Sequence, residues 1–339
     1  MAERAAAAAC LLACLFSARA AAQCECPASD VLIIGHRGAG TNGASEALPE
    51  NTIESAQQAF AEGAAMVEID VQTTADGAVV LMHDDTVDRT TDGTGCVGAL
   101  TLDEIRALDA GGGVRVPTLA ELLAATEGGV NVEIKLHETD ACPAQDLDAL
   151  VDAVVSEVRA ASAQGRVLVS SFSLEVLRRT RAAEAGIEIG YLTTSPDDID
   201  VAAAEGFEAV HLFGLLANAR NVQRAHAAGL RVNAWTLNGA SMITSALGAG
   251  VDGVITDTAG EAVAARAAFC DAYVCPGADA GADAGVRPLP SGGCAAAPMG
   301  APPAAPPALA ALVAWVLRLR RRSPQSGKFP TRARQRGWF

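Results

Sequence analysis

Short apolar runs recur along residues 31–256, most of them separated by enough chain for one helix. They cover 31–34, 66–71, 79–82, 130–136, 167–171, 187–192, 209–213, 230–237 and 253–256. Several are nearly continuous in Val, Ile and Leu, which is how strands covered on both faces read, the habit of parallel sheets flanked by helices. The stretches 53–62, 145–163, 174–185, 197–204, 217–228 and 240–247 read as the intervening helices. Asn51 or Thr52 can cap the first of these and Gly63 ends it. Ala75-Asp76-Gly77 is a turn signal that folds 66–71 and 79–82 into a hairpin, leaving eight strands for the main sheet. Eight strands with crossover helices predict an α/β fold of the (β/α)8 TIM-barrel type. A doubly wound open sheet is the alternative, but Gly35-His36-Arg37-Gly38 is not the phosphate-binding fingerprint that follows its first strand.

Polar residues interrupt this pattern mostly where strands end. His36 and Arg37 follow the first run, His83 follows the hairpin, Glu133 and Lys135 lie on 130–136, and Ser170-Ser171, Trp235 and Asp257 fall at or near the ends of theirs. A barrel gathers its working groups at the carboxyl ends of its strands. Glu68 and Asp70 alternate on an otherwise apolar run and so share one face. Two buried carboxylates side by side need a cation between them; a solvated strand face is the alternative. His36 likewise can be a simple strand cap. Residues 86–118, polar and Gly-rich with a short helix at 102–108, read as an excursion from the main fold that ends at Pro117-Thr118-Leu119.

Charge narrows the choice of ligand. The 339 residues carry a net charge of −15, and eight of the 25 basic residues lie between Arg318 and Arg336 with no acidic residue among them. Residues 1–306 therefore hold 17 basic against 40 acidic side chains. That balance argues against sequence-independent nucleic-acid binding and requires an anionic ligand to be met by a local cation cluster or a metal. With only Lys135 and Lys328 in the chain, a lysine in the body is informative.

The two ends have a different composition. Residues 1–22 read as a secretory signal peptide cleaved near Ala22, with Leu11-Leu12-Ala13-Cys14 as an alternative lipoprotein cleavage box. Of the seven cysteines beyond it, Cys24, Cys26, Cys96, Cys142, Cys270 and Cys275 can form three bridges in an oxidising compartment, in a pairing the spacing leaves open. A zinc site is the rival use of these thiols, poorly matched by Cys-x-Cys and Cys-x4-Cys without neighbouring histidines. Residues 270–306 form an Ala/Gly/Asp/Pro-rich linker, and 307–339 an apolar segment with an Arg-rich tail. The apolar part, 307–317, falls short of the roughly 20 residues that span a bilayer. Cys294, the spacer, the apolar segment and the Arg run together resemble the C-terminal surface-sorting tails of myxobacterial proteins, with Gly293-Cys294 as the processing point. That resemblance implies attachment to a membrane or the cell surface.

The motifs His36-Arg37-Gly38, Pro49-Glu50-Asn51-Thr52, Glu68-x-Asp70, Asp76-Gly77, His83-Asp84, Glu133-Ile134-Lys135, Trp235-Thr236 and Gly250 through Asp257 occur in that order. They resemble the glycerophosphodiester phosphodiesterase family over about residues 30–268. The resemblance implies a barrel at 23–269 with an insertion after His83 at about 86–118. It also implies a small glycerophosphodiester substrate, with the substrate's own glycerol hydroxyl attacking to form a cyclic phosphate that water then opens. Elementary chemistry gives the residues compatible tasks. Glu68, Asp70 and Glu133 form an all-oxygen donor set suited to one divalent ion, Ca2+ or Mg2+. Arg37 and Lys135 complete a clamp for phosphate, and His36 and His83 transfer protons, one as base and the other as acid. Glu50 and Asn51 hold the loop and contact metal or sugar alcohol, or merely cap a helix; Trp235 lines the glycerol side, or fills core. His137, His211 and His226 read as structural. The expected protein is an exported, metal-dependent phosphodiesterase releasing sn-glycerol 3-phosphate and an alcohol. A lysophospholipase D or phospholipase-like activity on the same scaffold, and a catalytically silent surface binding module, are the alternatives.

Overall fold

The structure, a computed structural model, describes residues 25–40, 48–136 and 141–274. The expected leader, almost all of the linker, the tail, residues 41–47 and His137 lie outside the described residues. Strand β1 (Leu32–Gly35) pairs in parallel with both β2 (Met66–Thr73) and β9 (Gly253–Thr256). Between those two run β4 (Gly129–Ile134), β5 (Val167–Ser171), β6 (Glu188–Thr193), β7 (Ala209–Phe213) and β8 (Arg231–Trp235), all parallel, so the sheet closes into an eight-stranded barrel. Strand β3 (Val79–Leu81) turns back antiparallel along the end of β2 as the hairpin arm. The expected (β/α)8 architecture is the one observed.

Local chemistry accounts for the helices. Helix α1 (Ile53–Ala61) starts where the Thr52 side chain accepts from the Ser55 N–H at 3.2 Å, and the chain leaves it through Gly63 at φ +96°. Helix α2 (Leu102–Arg106) and helix α3 (Leu119–Ala125) each begin with a complete capping box, Thr101 with Glu104 and Thr118 with Glu121. Helices α4 (Leu147–Ala160), α5 (Leu174–Ala183), α6 (Asp198–Glu205), α7 (Ala219–Ala227) and α8 (Ala240–Ala249) fall inside or within two residues of the expected stretches. The last helix, α9 (Ala259–Asp271), was not expected, because Ala-Val-Ala-Ala-Arg-Ala-Ala spreads its small apolar residues around the whole helix instead of along one stripe.

Each strand feeds two layers. Outward residues such as Ile33, Val67, Ile69, Val132 and Val169 join Leu122, Val155 and Leu177 of the surrounding helices in one continuous core. Burial of a side chain of this size is worth about 1.5–3 kcal/mol. The inward layer includes Asn131, Ser170, His211 and Asn233, all buried. Gly190 makes room for the His211 ring: a Cβ there would stand 2.3 Å from Nε2. Asn233 Nδ2 donates to His211 Nε2 at 3.0 Å, which leaves the ring proton on Nδ1.

Burial, with the Arg231 charge adding to it, pushes the His211 imidazole down to about 3. The unfolded chain then takes up this proton first as pH falls, so the contribution of a neutral His211 is complete above the unfolded value of about 6.5 and is lost below it. Unfolding free energies from urea titrations at pH 7 and pH 5 are expected to differ by about 2 kcal/mol less in His211→Gln than in the unsubstituted chain.

From Met82 the chain leaves the barrel and returns at Thr118. Val87, Val97, Ile105, Ala110 and Val116 close a small second core against Val80 and Met82. A disulfide between Cys96 and Cys142 ties this segment to the stretch that follows β4, and a second, Cys26–Cys270, joins the residues ahead of β1 to α9. Spacing left these pairings open. With four thiols so used, the zinc reading fails for them.

Candidate active site

Two adjoining turns form the floor of the barrel mouth. The His36 N–H donates to Thr256 O at 2.8 Å, and the Asn51 N–H donates to Arg37 O at 2.9 Å. Arg37 (φ +51°) and Asn51 (φ +57°) both lie in the left-handed region, which for residues other than glycine costs about 1–3 kcal/mol. Gly38, at φ +90°, lies against α1, where a Cβ would meet Ser55 Oγ at 2.5 Å. These contacts aim Arg37 inward. Its backbone N–H donates to Glu68 Oε2 at 2.9 Å, its Nη1 donates to Glu50 Oε1 at 2.7 Å, and its Nε lies 3.3 Å from Asp70 Oδ2.

The β2–β4 register sets Asp70 directly beside Glu133, with Glu68 two residues back along the same face. One carboxylate oxygen from each of Glu68, Asp70 and Glu133 lies within 4.8 Å of the other two. Asn51 holds Asp70 twice: Nδ2 donates to Oδ2 at 2.9 Å, and Oδ1 accepts from the Asp70 N–H at 3.0 Å. Lys135 Nζ donates to Glu133 Oε1 at 2.9 Å and lies 3.9 Å from Asp70 Oδ1.

Burial and then the Asp70 and Glu133 charges push the Glu68 carboxyl well above the usual range. Burial acts the same way on Asp70, but His83, Arg37, Lys135 and the Asn51 amide outweigh it and hold that carboxyl below its ordinary value. Buried Glu68 Oε1 has no hydrogen-bond partner among the described residues. An orphaned carboxylate oxygen beside two more carboxylates is a donor set that fits a hard divalent cation.

Both histidines are held alike. His36 Nδ1 lies 2.7 Å from Asp257 Oδ1, and His83 Nδ1 lies 2.7 Å from Asp84 Oδ1. The carboxylate partners put each proton on Nδ1 and turn each Nε2 toward the cluster. His36 Nε2 is 3.9 Å from Glu68 Oε2, and His83 Nε2 accepts from Lys135 Nζ at 3.2 Å.

Nine of the ten candidate residues, from His36 to Lys135, meet in this one network. Trp235 ends β8 at the same mouth, but its described contacts are elsewhere. It stands edge-on to Phe172 and Phe213, with ring centres 5.4 and 5.5 Å away, and its Nε1 donates to His211 O. Sequence reasoning missed Arg89, which reaches Glu50 and Asp84, and gave Asp84 and Asp257 no task. Asp84 had a signal in its place next to His83. Arg89 had none, lying in a loop without periodicity.

The model of the glycerophosphoryl diester phosphodiesterase family matches residues 36–261. A glycerophosphodiester phosphodiesterase of Caldanaerobacter subterraneus is 33% identical over 238 residues, covering 67% of this chain and 93% of its own. Among solved structures, a glycerophosphoryl diester phosphodiesterase assigned in Silicibacter pomeroyi shares 28% identity at a TM-score of 0.63, covering 70% of this chain and 94% of its own. An Oleispira antarctica phosphodiesterase in complex with sn-glycerol-3-phosphate also gives 28% and 0.63, with 70% and 98% covered. Fold, motif order and these similarities agree: the chain belongs to the glycerophosphoryl diester phosphodiesterase family and is a phosphoric diester hydrolase.

Proposed function

We propose that the chain is an exported, divalent-metal-dependent enzyme that hydrolyses glycerophosphodiesters to sn-glycerol 3-phosphate and an alcohol. The observation that carries this reading is the convergence of three buried carboxylates, two cations and two Nε2 atoms of carboxylate-held histidines at one barrel mouth. Glu68, Asp70 and Glu133 would hold Ca2+ or Mg2+. When bound, such an ion supplies positive charge to the phosphoryl oxygens. Arg37 and Lys135 orient the phosphate, Glu50 steadies Arg37, and Asn51 steadies Asp70. One histidine, bare at Nε2, takes a proton there from the attacking glycerol hydroxyl, and the other, which enters the step carrying a proton on Nε2 as well as on Nδ1, gives its Nε2 proton to the departing alkoxide. The two exchange roles when water opens the cyclic phosphate. Export is supported by the leader and by the two bridges, which accumulate in oxidising compartments. The C-terminal tail would provide membrane or surface attachment.

A second reading, cleavage of an intact lysophospholipid, draws on the rim near Trp235, where Phe172 and Phe213 adjoin it and Leu215 is 63% exposed. Glycerophosphocholine, glycerophosphoethanolamine and micellar lysophosphatidylcholine, each assayed with EDTA, Ca2+ or Mg2+, test both readings. Hydrolysis of a soluble diester is expected, lowered at least about tenfold by EDTA and restored by added metal. Preference for the micellar lipid selects the second reading. Failure on every substrate with either metal overturns both, and turnover indifferent to EDTA removes the metal.

A further inference from the structure

The segment outside the barrel sends one side chain back into the site, and its contacts go beyond charge balance. Arg89 uses both edges of its guanidinium. Nε and Nη2 donate to the two oxygens of Asp84 at 2.6 and 3.0 Å, while Nη1 and Nη2 donate to the two oxygens of Glu50 at 2.9 and 2.7 Å. Asp84 holds the imidazole of His83, and Glu50 holds Arg37. One planar group therefore joins the histidine assigned to proton transfer and the cation assigned to phosphate. These bonds with Glu50 and Asp84 hold the Arg89 cation above its ordinary value, and Arg89 in turn helps hold both carboxylates below theirs.

The backbone around Arg89 is built to keep it there. Val87 N–H donates to Gly95 O and Val97 N–H donates to Asp85 O, so the loop closes on itself immediately beyond His83. Cys142 Sγ lies 3.5 Å from Asp85 O and is bonded to Cys96, which anchors the same turn covalently to the stretch that follows β4. Val87 and Val97 are both buried in the second small core.

We infer that Arg89 is a positioning residue for phosphodiester cleavage, fixing His83 through Asp84 and Arg37 through Glu50 at the same time. The inference rests on the function proposed above. Lysine supplies a point charge but no fork, and so cannot span two carboxylates in this geometry. It follows that charge alone does not replace Arg89.

The test compares Arg89→Lys and Arg89→Ala with the unsubstituted enzyme on the soluble diester and metal that support its turnover. Both variants are expected to lose about 30-fold in kcat while KM changes less than about threefold, within the range for imperfectly placed proton-transfer groups. The side chain is partly open to solvent, so added guanidinium ion should recover several-fold of the kcat of Arg89→Ala and none of the wild type's. Near-UV circular dichroism reports whether each variant is folded; if the alanine variant is not, the kcat and KM of the lysine variant decide alone. A lysine variant with wild-type kcat, a loss confined to KM, or a folded alanine variant deaf to guanidinium overturns the inference. An unsubstituted chain that cleaves no diester removes the proposed function and this inference together, whereas an active wild type matched by Arg89→Lys removes only the latter.

Discussion

Replacing His83 with alanine is expected to lower kcat by about a thousandfold, and replacing His36 to do the same, with each variant still folded. The size follows from what each ring is placed to do. Both are fixed through Nδ1 by an aspartate, so each presents one nitrogen, already oriented, to the cluster. Positioned acid or base groups contribute about 10²–10⁴-fold, and no other imidazole among the described residues can substitute: His211 is sealed inside the barrel and His226 is paired with Asp252 at its surface. The double variant should be little slower than the worse single one, because an acid and a base acting in one sequence fail as a unit. Single-turnover rates on a soluble diester check this. Loss smaller than tenfold in both single variants would remove the histidines from the chemistry.

The second large effect concerns stability as well as rate. Arg37→Ala is expected to cost about 3–5 kcal/mol, since it strips the guanidinium from the buried carboxylates that adjoin it. Glu50 keeps Arg89, but Asp70 is left with His83, Lys135 and the Asn51 amide, and Glu68 loses an attractive charge while its two acidic neighbours remain. Burial on its own would lower the Arg37 pKa, yet Asp70, Glu50 and Glu68 together raise it, which is the same interaction seen from the cation. Arg37→Lys should recover a good part of the stability and little of the turnover, because a lysine cannot reach Glu50 and Asp70 with one rigid plane. Urea denaturation measures the first quantity and kcat the second. An alanine variant within about 1 kcal/mol of wild type would mean the carboxylates are satisfied by other means.

How much of this could be read in advance depended on whether the signal was local. The eight barrel strands were legible as apolar runs, and Asp76-Gly77 marked the hairpin that brings Met82 N–H onto Asp70 O. Glu68, Asp70 and Glu133 were legible because charges on apolar strands contradict their surroundings and invite an explanation. Helix α9 was not, its small residues giving no preferred face. Nor was the reach of Arg89 across 39 residues to Glu50, which depends on how a loop closes in space. Trp235 was legible as a residue at the mouth, but its pairing with Phe172 and Phe213 required the relative placement of three strand ends.

The Cys26–Cys270 bridge turns the barrel from a string with two ends into a loop of covalent bonds, 244 positions around. The point at which such a loop begins becomes a matter of biosynthesis more than of architecture. A cut in any one of its surface connections would leave two chain segments still joined through this disulfide and held in register by the strands on either side. Once oxidised, the domain can therefore survive one proteolytic wound without coming apart.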